Sequence, residues 1–114
     1  MVYRSFGKTG VLLSSLGFGC MRLPVLEGDI SRINEKEAVR LIRYGIDRGI
    51  NYIDTAYPYH GTNSEPFLAK ALSGGYRDRI NLATKLPSWL VHTREDMDRY
   101  LNEQLKRANV KKKI

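Results

Sequence analysis

The chain has 114 residues with 19 Lys and Arg against 12 Asp and Glu, a net charge of +7 that is concentrated in part at Lys106, Arg107, Lys111, Lys112 and Lys113. That length suits one small domain, residues 1–114; the apolar runs fall far below the roughly 20 residues of a membrane span, and the basic end lacks any nucleic-acid-binding motif and reads as a solvated helix terminus. The single cysteine, Cys20, excludes an intrachain disulfide framework and CxxC metal sites, and with no apolar leader behind Met1-Val2-Tyr3-Arg4 a cytoplasmic protein without nucleic-acid or membrane partners is expected.

Tyr3–Phe6 and Val11–Ser14 flank Gly7-Lys8-Thr9-Gly10, which predicts a β-hairpin. Leu16–Cys20 reads as a glycine-rich buried strand, and Pro24 to Ile33 reads as a loop broken by Pro24, Gly28 and Asp29. Asn34 followed by Glu37 suggests a capping box opening a helix. Ala38, Leu41, Ile42, Gly45 and Ile46 form its apolar stripe, and Gly49 is its stop. Ile50–Asp54 is a strand, and Pro58 keeps Tyr57–Asn63 a loop. Ser64 is the expected cap of a second helix with Phe67, Leu68, Ala71 and Leu72 inward. Ile80–Lys85 is another strand. Thr93 with Asp96 caps a third helix, whose stripe is Met97, Tyr100, Leu101, Leu105 and Ala108.

Strands alternating with helices imply α/β architecture with a parallel sheet. A hairpin followed by three βα units is under half of a (β/α)₈ barrel, which typically needs about 250 residues. The sequence stops at Lys113-Ile114, where a fourth strand would begin.

Asp54 and Lys85 each close an apolar run, and Tyr59 lies in the loop after the first. On parallel strands those ends share one rim. A phenol has an ordinary pKa of about 10, and a cation beside a phenol favours its ionised form. An ammonium held by a carboxylate is therefore suited to assist a tyrosine that gives up its proton. Asp54 would anchor Lys85 and offset the cost of burying it. Tyr57 competes with Tyr59 for this part, and spacing from Asp54 favours Tyr59. Such a trio points to carbonyl reduction. Asp54, His60 and His92 could instead be pictured as metal ligands, but two isolated histidines lack the remaining ligands a site needs, so no metal is expected. Gly17 and Gly19 weaken a strand unless something approaches closely. Leu16-Gly17-Phe18-Gly19 is not a dinucleotide fingerprint.

Gly49-Ile50-Asn51-Tyr52-Ile53-Asp54-Thr55-Ala56-Tyr57-Pro58-Tyr59 resembles the aldo-keto reductase signature G-x-x-x-x-D-T-A-x-x-Y. Leu16–Pro24 is similar to that family's first barrel strand, Ala83-Thr84-Lys85-Leu86 to the strand bearing its lysine, and the hairpin to the plug of its barrel. Cys20-Met21-Arg22 and Tyr57–Gly61 resemble a bacterial or archaeal branch, some of whose members carry an iron–sulfur extension. The resemblance implies reduction of a small-molecule aldehyde or ketone with NADPH, or less often NADH. It implies an Asp-Tyr-Lys-His tetrad whose first three members fall on Asp54, Tyr59 and Lys85. It implies cofactor contacts at Gly19, Cys20, Met21 and Asp54, and substrate contacts at Met21, His60 and Trp89. The tetrad histidine and the adenosine-phosphate site would lie beyond the sequence, so the chain is expected to be a truncated barrel with little activity alone, its partner the missing C-terminal half. The competing expectation is a non-catalytic βα module that completes a barrel with another chain.

Overall fold

The computed structural model describes residues 1–110; the fourth strand expected at Lys113-Ile114 and the Lys111–Lys113 cluster lie outside them. The N-terminal hairpin forms from β1 (Tyr3–Ser5) and β2 (Leu12–Ser14), in register Tyr3↔Ser14. Gly7 and Gly10 take φ of 56° and 77° to make the turn. Asn51 holds the hairpin to the domain. Its Oδ1 accepts from Ser14 N (2.7 Å), its Nδ2 donates to Leu12 O (2.9 Å), and its own N–H donates to Ser14 Oγ (3.0 Å).

β3 (Phe18–Gly19) follows. The next segment departs from the expected loop: β4 (Val25–Leu26) and β5 (Asp29–Ile33) pair antiparallel. Glu27 and Gly28 both have positive φ, 53° and 69°, as a type I′ two-residue turn requires. β5 is exposed except at Ile33, so the alternating apolar pattern that reveals a strand is missing.

Asn34 caps α1 (Glu35–Asp47) by accepting from Glu37 N at 3.3 Å, while the Glu37 carboxylate turns to Arg40 rather than back to the cap. Ala38, Ile42, Gly45 and Ile46 are buried on the sheet side. A side chain at Gly45 would come within 3.1 Å of Ile50, so its absence lets helix and strand close up. Gly49 ends the connection at φ 106°, where a Cβ would sit 2.8 Å from the Tyr3 hydroxyl.

β6 (Tyr52–Asp54) pairs parallel with β3, and β7 (Asn81–Ala83) pairs parallel with β6, giving the order β3-β6-β7. Between them runs α2 (Ser64–Ala71). Ser64 does not cap it. Asn63 holds the cap position without a side-chain bond, and the Ser64 hydroxyl instead meets Thr55 Oγ1 at 2.8 Å. α3 (Arg94–Arg107) opens with the full Thr93–Asp96 capping box. Along α3 only Gln104 is buried, followed by Ala108 at its end; Met97 is 43% exposed. One apolar cluster, including Ile42, Ile53, Phe67, Leu68 and Leu82, joins helices to sheet. No helix among the described residues is long and apolar enough to cross a membrane.

Candidate active site

Parallel pairing sets Asp54 opposite Ala83, so Asp54 and Lys85 emerge at the same C-terminal edge of β6 and β7. The ladder continues past both strands through Thr55 N→Ala83 O at 2.8 Å and Cys20 N→Asp54 O at 2.8 Å. Tyr59 arrives by a tight turn in which Tyr59 N donates to Ala56 O at 3.2 Å.

The Lys85 ammonium has three protons and three kinds of partner. It meets both Asp54 carboxylate oxygens at 2.9 and 2.8 Å, the Thr55 carbonyl at 2.8 Å and the Tyr59 hydroxyl at 3.2 Å. It also lies 4.9 Å from the Tyr59 ring centroid. Burial alone would lower the Lys85 pKa, but hydrogen bonds and charge from Asp54, with a further bond from Tyr59, outweigh it and hold the group above the ordinary lysine range. Because Lys85 donates to the phenol oxygen, the phenol proton is left for another acceptor. The site is open: the Lys85 and Asp54 side chains keep 50% and 37% of their exposure.

Other expected site residues take different positions. Gly19 stands beside Asp54 in register, and a Cβ built on it meets nothing within 4 Å, so the strand mouth is clear for a ligand. Met21 (53% exposed) and Trp89 (60% exposed) leave large apolar surface in solvent beyond the ends of β3 and β7. The Cys20 side chain belongs to the core and is wholly buried, which leaves only its backbone for the expected cofactor contact. Burial, reinforced by the Asp54 charge and opposed by Lys85, pushes its thiol up to about 12. His60, expected at the substrate, is turned inward. It is 5% exposed; its Nε2 accepts from Leu23 N at 3.1 Å and its Nδ1 faces Ile30 O at 2.7 Å, an arrangement that suits a proton on Nδ1. Both ring nitrogens are thus committed to the backbone of the β4–β5 region and are not offered to a substrate. The same bonds remove His60 as a metal ligand; His92 is exposed at the start of α3.

Behind the site lies a set of polar groups that no sequence motif marks. Thr84 Oγ1 donates to Glu65 Oε2 at 3.0 Å and accepts from Gln104 Nε2 at 3.3 Å, and Gln104 Nε2 also donates to Lys85 O at 2.8 Å. Gln104 lies between Leu101 and Ala108 on the inward stripe of α3, and that placement was the available signal.

Residues 15–114 match the model of the Aldo/keto reductase family. A stretch of 79 residues is 37% identical to "Probable aldo-keto reductase 1" of Glycine max, covering 69% of this chain and 22% of that protein. The fold is similar to an aldo-keto reductase from Bacillus halodurans in its holo form, with TM-score 0.76 and 30% identity over 96% of this chain and 37% of that one. It is also similar to an aldo-keto reductase from Klebsiella pneumoniae in complex with NADPH, with TM-score 0.71 and 26% identity over 87% of this chain and 32% of that one. The chain spans less than half the length of each of these relatives. With the family model covering all but the N-terminal hairpin, the chain belongs to the aldo/keto reductase family, and its β3-β6-β7 sheet is part of that family's barrel.

Proposed function

We propose that these residues form the proton-donating side of a nicotinamide-dependent carbonyl reductase site, with Tyr59 as general acid, Lys85 as its cationic neighbour and Asp54 as the anchor of Lys85. The observation that carries the reading is the single ammonium nitrogen that touches both the Asp54 carboxylate and the Tyr59 hydroxyl. A carbonyl oxygen docked against Tyr59 would take the phenol proton. The negative charge left on the phenol oxygen would be met at once by Lys85, whose own charge is compensated by Asp54. When bound, NADPH, or NADH, supplies a hydride to the carbonyl carbon. The open mouth at Gly19, with Met21 and the Asp54 edge beside it, has room for the nicotinamide end of such a cofactor. Met21 and Trp89 would give the substrate apolar walls.

A graft tests this. Residues 1–110 would replace the matching segment of the Bacillus halodurans relative, and aldehyde-dependent NADPH oxidation would be followed. Turnover is expected, and Tyr59→Phe should lower kcat by about 10²–10⁴-fold. A folded graft whose Tyr59→Phe variant turns over normally would refute the assignment.

A second reading has its own observation. Among the described strands β7 pairs with β6 alone. Beside it runs a groove of about 1000 Å³ lined by Phe6, Leu13, Tyr52, Leu82, Met97 and Leu101, among others. An unpaired strand edge over an apolar groove is a template for a further strand. On this reading the chain works as a βα module completed by a C-terminal barrel half.

A further inference from the structure

The polar residues behind the site are more deeply buried than the site itself. Gln104 is 2% exposed and Glu65 is fully buried. A buried amide or carboxylate is costly unless hydrogen-bonded, and apolar residues of equal size would fill the space between α2 and α3 at less cost. The network also has a direction. Gln104 donates to Thr84, Thr84 donates to Glu65, and the second Gln104 proton goes to the carbonyl of Lys85. One turn further along α3, Arg107 donates to the carbonyl of Thr62, three residues after Tyr59. Its guanidinium covers the Tyr57 ring at 4.6 Å, and its Nε lies 3.7 Å from Glu65 Oε1, an oxygen with no hydrogen-bond partner of its own. Glu103 adds a contact to Arg107 at 3.6 Å and accepts from the Tyr57 hydroxyl at 3.0 Å.

We propose that Gln104 and Arg107 are positioning residues: α3 holds the strand end that carries Lys85 with one and the loop that carries Tyr59 with the other, and Glu65 ties the two holds together. Lys85 and Tyr59 come from segments 26 positions apart, and their ammonium–phenol contact has no covalent guarantee. Gln104 and Arg107 sit three residues apart on one rigid helix, so the separation of their carbonyl targets is set by helix geometry. This inference rests on the assignment of Tyr59 and Lys85 proposed above.

The test follows the titration of the Lys85 ammonium by NMR in isotope-labelled 114-residue chain. Asp54→Asn serves as the reference, because removing the carboxylate should shift the Lys85 midpoint down. Gln104→Met keeps the volume and deletes the donor, and Thr84→Val cuts the relay to Glu65. In folded variants of both, the Lys85 midpoint is expected to move from the wild-type value towards that of Asp54→Asn, with a changed shift for the Tyr59 ring. A wild-type midpoint in either folded variant overturns the positioning role and leaves the site assignment standing. If Asp54→Asn itself leaves Lys85 unmoved, the site assignment fails and the positioning role with it. If neither Gln104→Met nor Thr84→Val folds, the network serves stability alone and the proposal is overturned.

Discussion

Glu65 shows how much a single buried carboxylate can report. Burial raises its pKa, while the Thr84 hydrogen bond and the Arg107 charge oppose that rise without cancelling it. The folded state therefore binds the proton more tightly than the unfolded chain, whose glutamates titrate at about 4.3. Stability contributed by this group falls as pH climbs from that value through the raised one. Urea midpoints measured across that window should decline in the wild type and flatten in Glu65→Gln, which keeps an acceptor for Thr84; an unchanged slope would count against the ionised, strained carboxylate. The sequence did not disclose this residue, because Glu65 in the first turn of a helix is ordinary. His60 was equally opaque, since its partners Leu23 and Ile30 stand 37 and 30 positions away. The meeting of Asp54 with Lys85 was readable, because strand ends in a parallel sheet share an edge and the apolar runs marked both ends.

At the scale of elements, legibility followed the strength of local signals. α1 and α3 carried both a cap and an apolar stripe, and both formed where expected. The β4–β5 hairpin lacked both signals of its kind: its strands are mostly exposed, and its turn is Glu-Gly rather than Asn-Gly or Asp-Gly. Ser64 has the local signature of a cap, but Thr55 claims its hydroxyl and Asn63 takes the cap position. The Thr93 cap gives a measurable prediction. Its side chain accepts from Asp96 N at 3.2 Å, and Asp96 bonds back to the backbone of Thr93 and His92. Thr93→Ala should cost about 1 kcal/mol in urea unfolding. Because α3 also bears Gln104 and Arg107, the same change should loosen the Lys85 contact before it unfolds the domain.

The whole molecule is a slab of 43 × 41 × 22 Å with a radius of gyration of 14.5 Å, somewhat above the ~13 Å of a 100-residue sphere-like domain. The groove beside β7 leaves apolar side chains such as Leu82, Met97 and Leu101 along its walls. The 114-residue chain in its native state should therefore enhance the fluorescence of an apolar dye such as ANS and bind NADPH only weakly by fluorescence titration. Tight NADPH binding would overturn the expectation that this chain alone holds the cofactor poorly. A lack of dye binding would show that the groove is covered in solution, for instance by a second copy. A partial barrel could be inferred from the order of elements, but this groove could not, since its lining brings together the hairpin, β6, β7 and α3 from distant parts of the chain. Finally, Asn51 stitches the hairpin beneath the start of β6, while Asp54 closes the far end of the same strand and meets Lys85 there. Sturdiness and the proposed reactivity are thus housed at opposite poles of one short β-segment. Evolution, or an engineer, can rework Met21 and Trp89 above without disturbing the keel below.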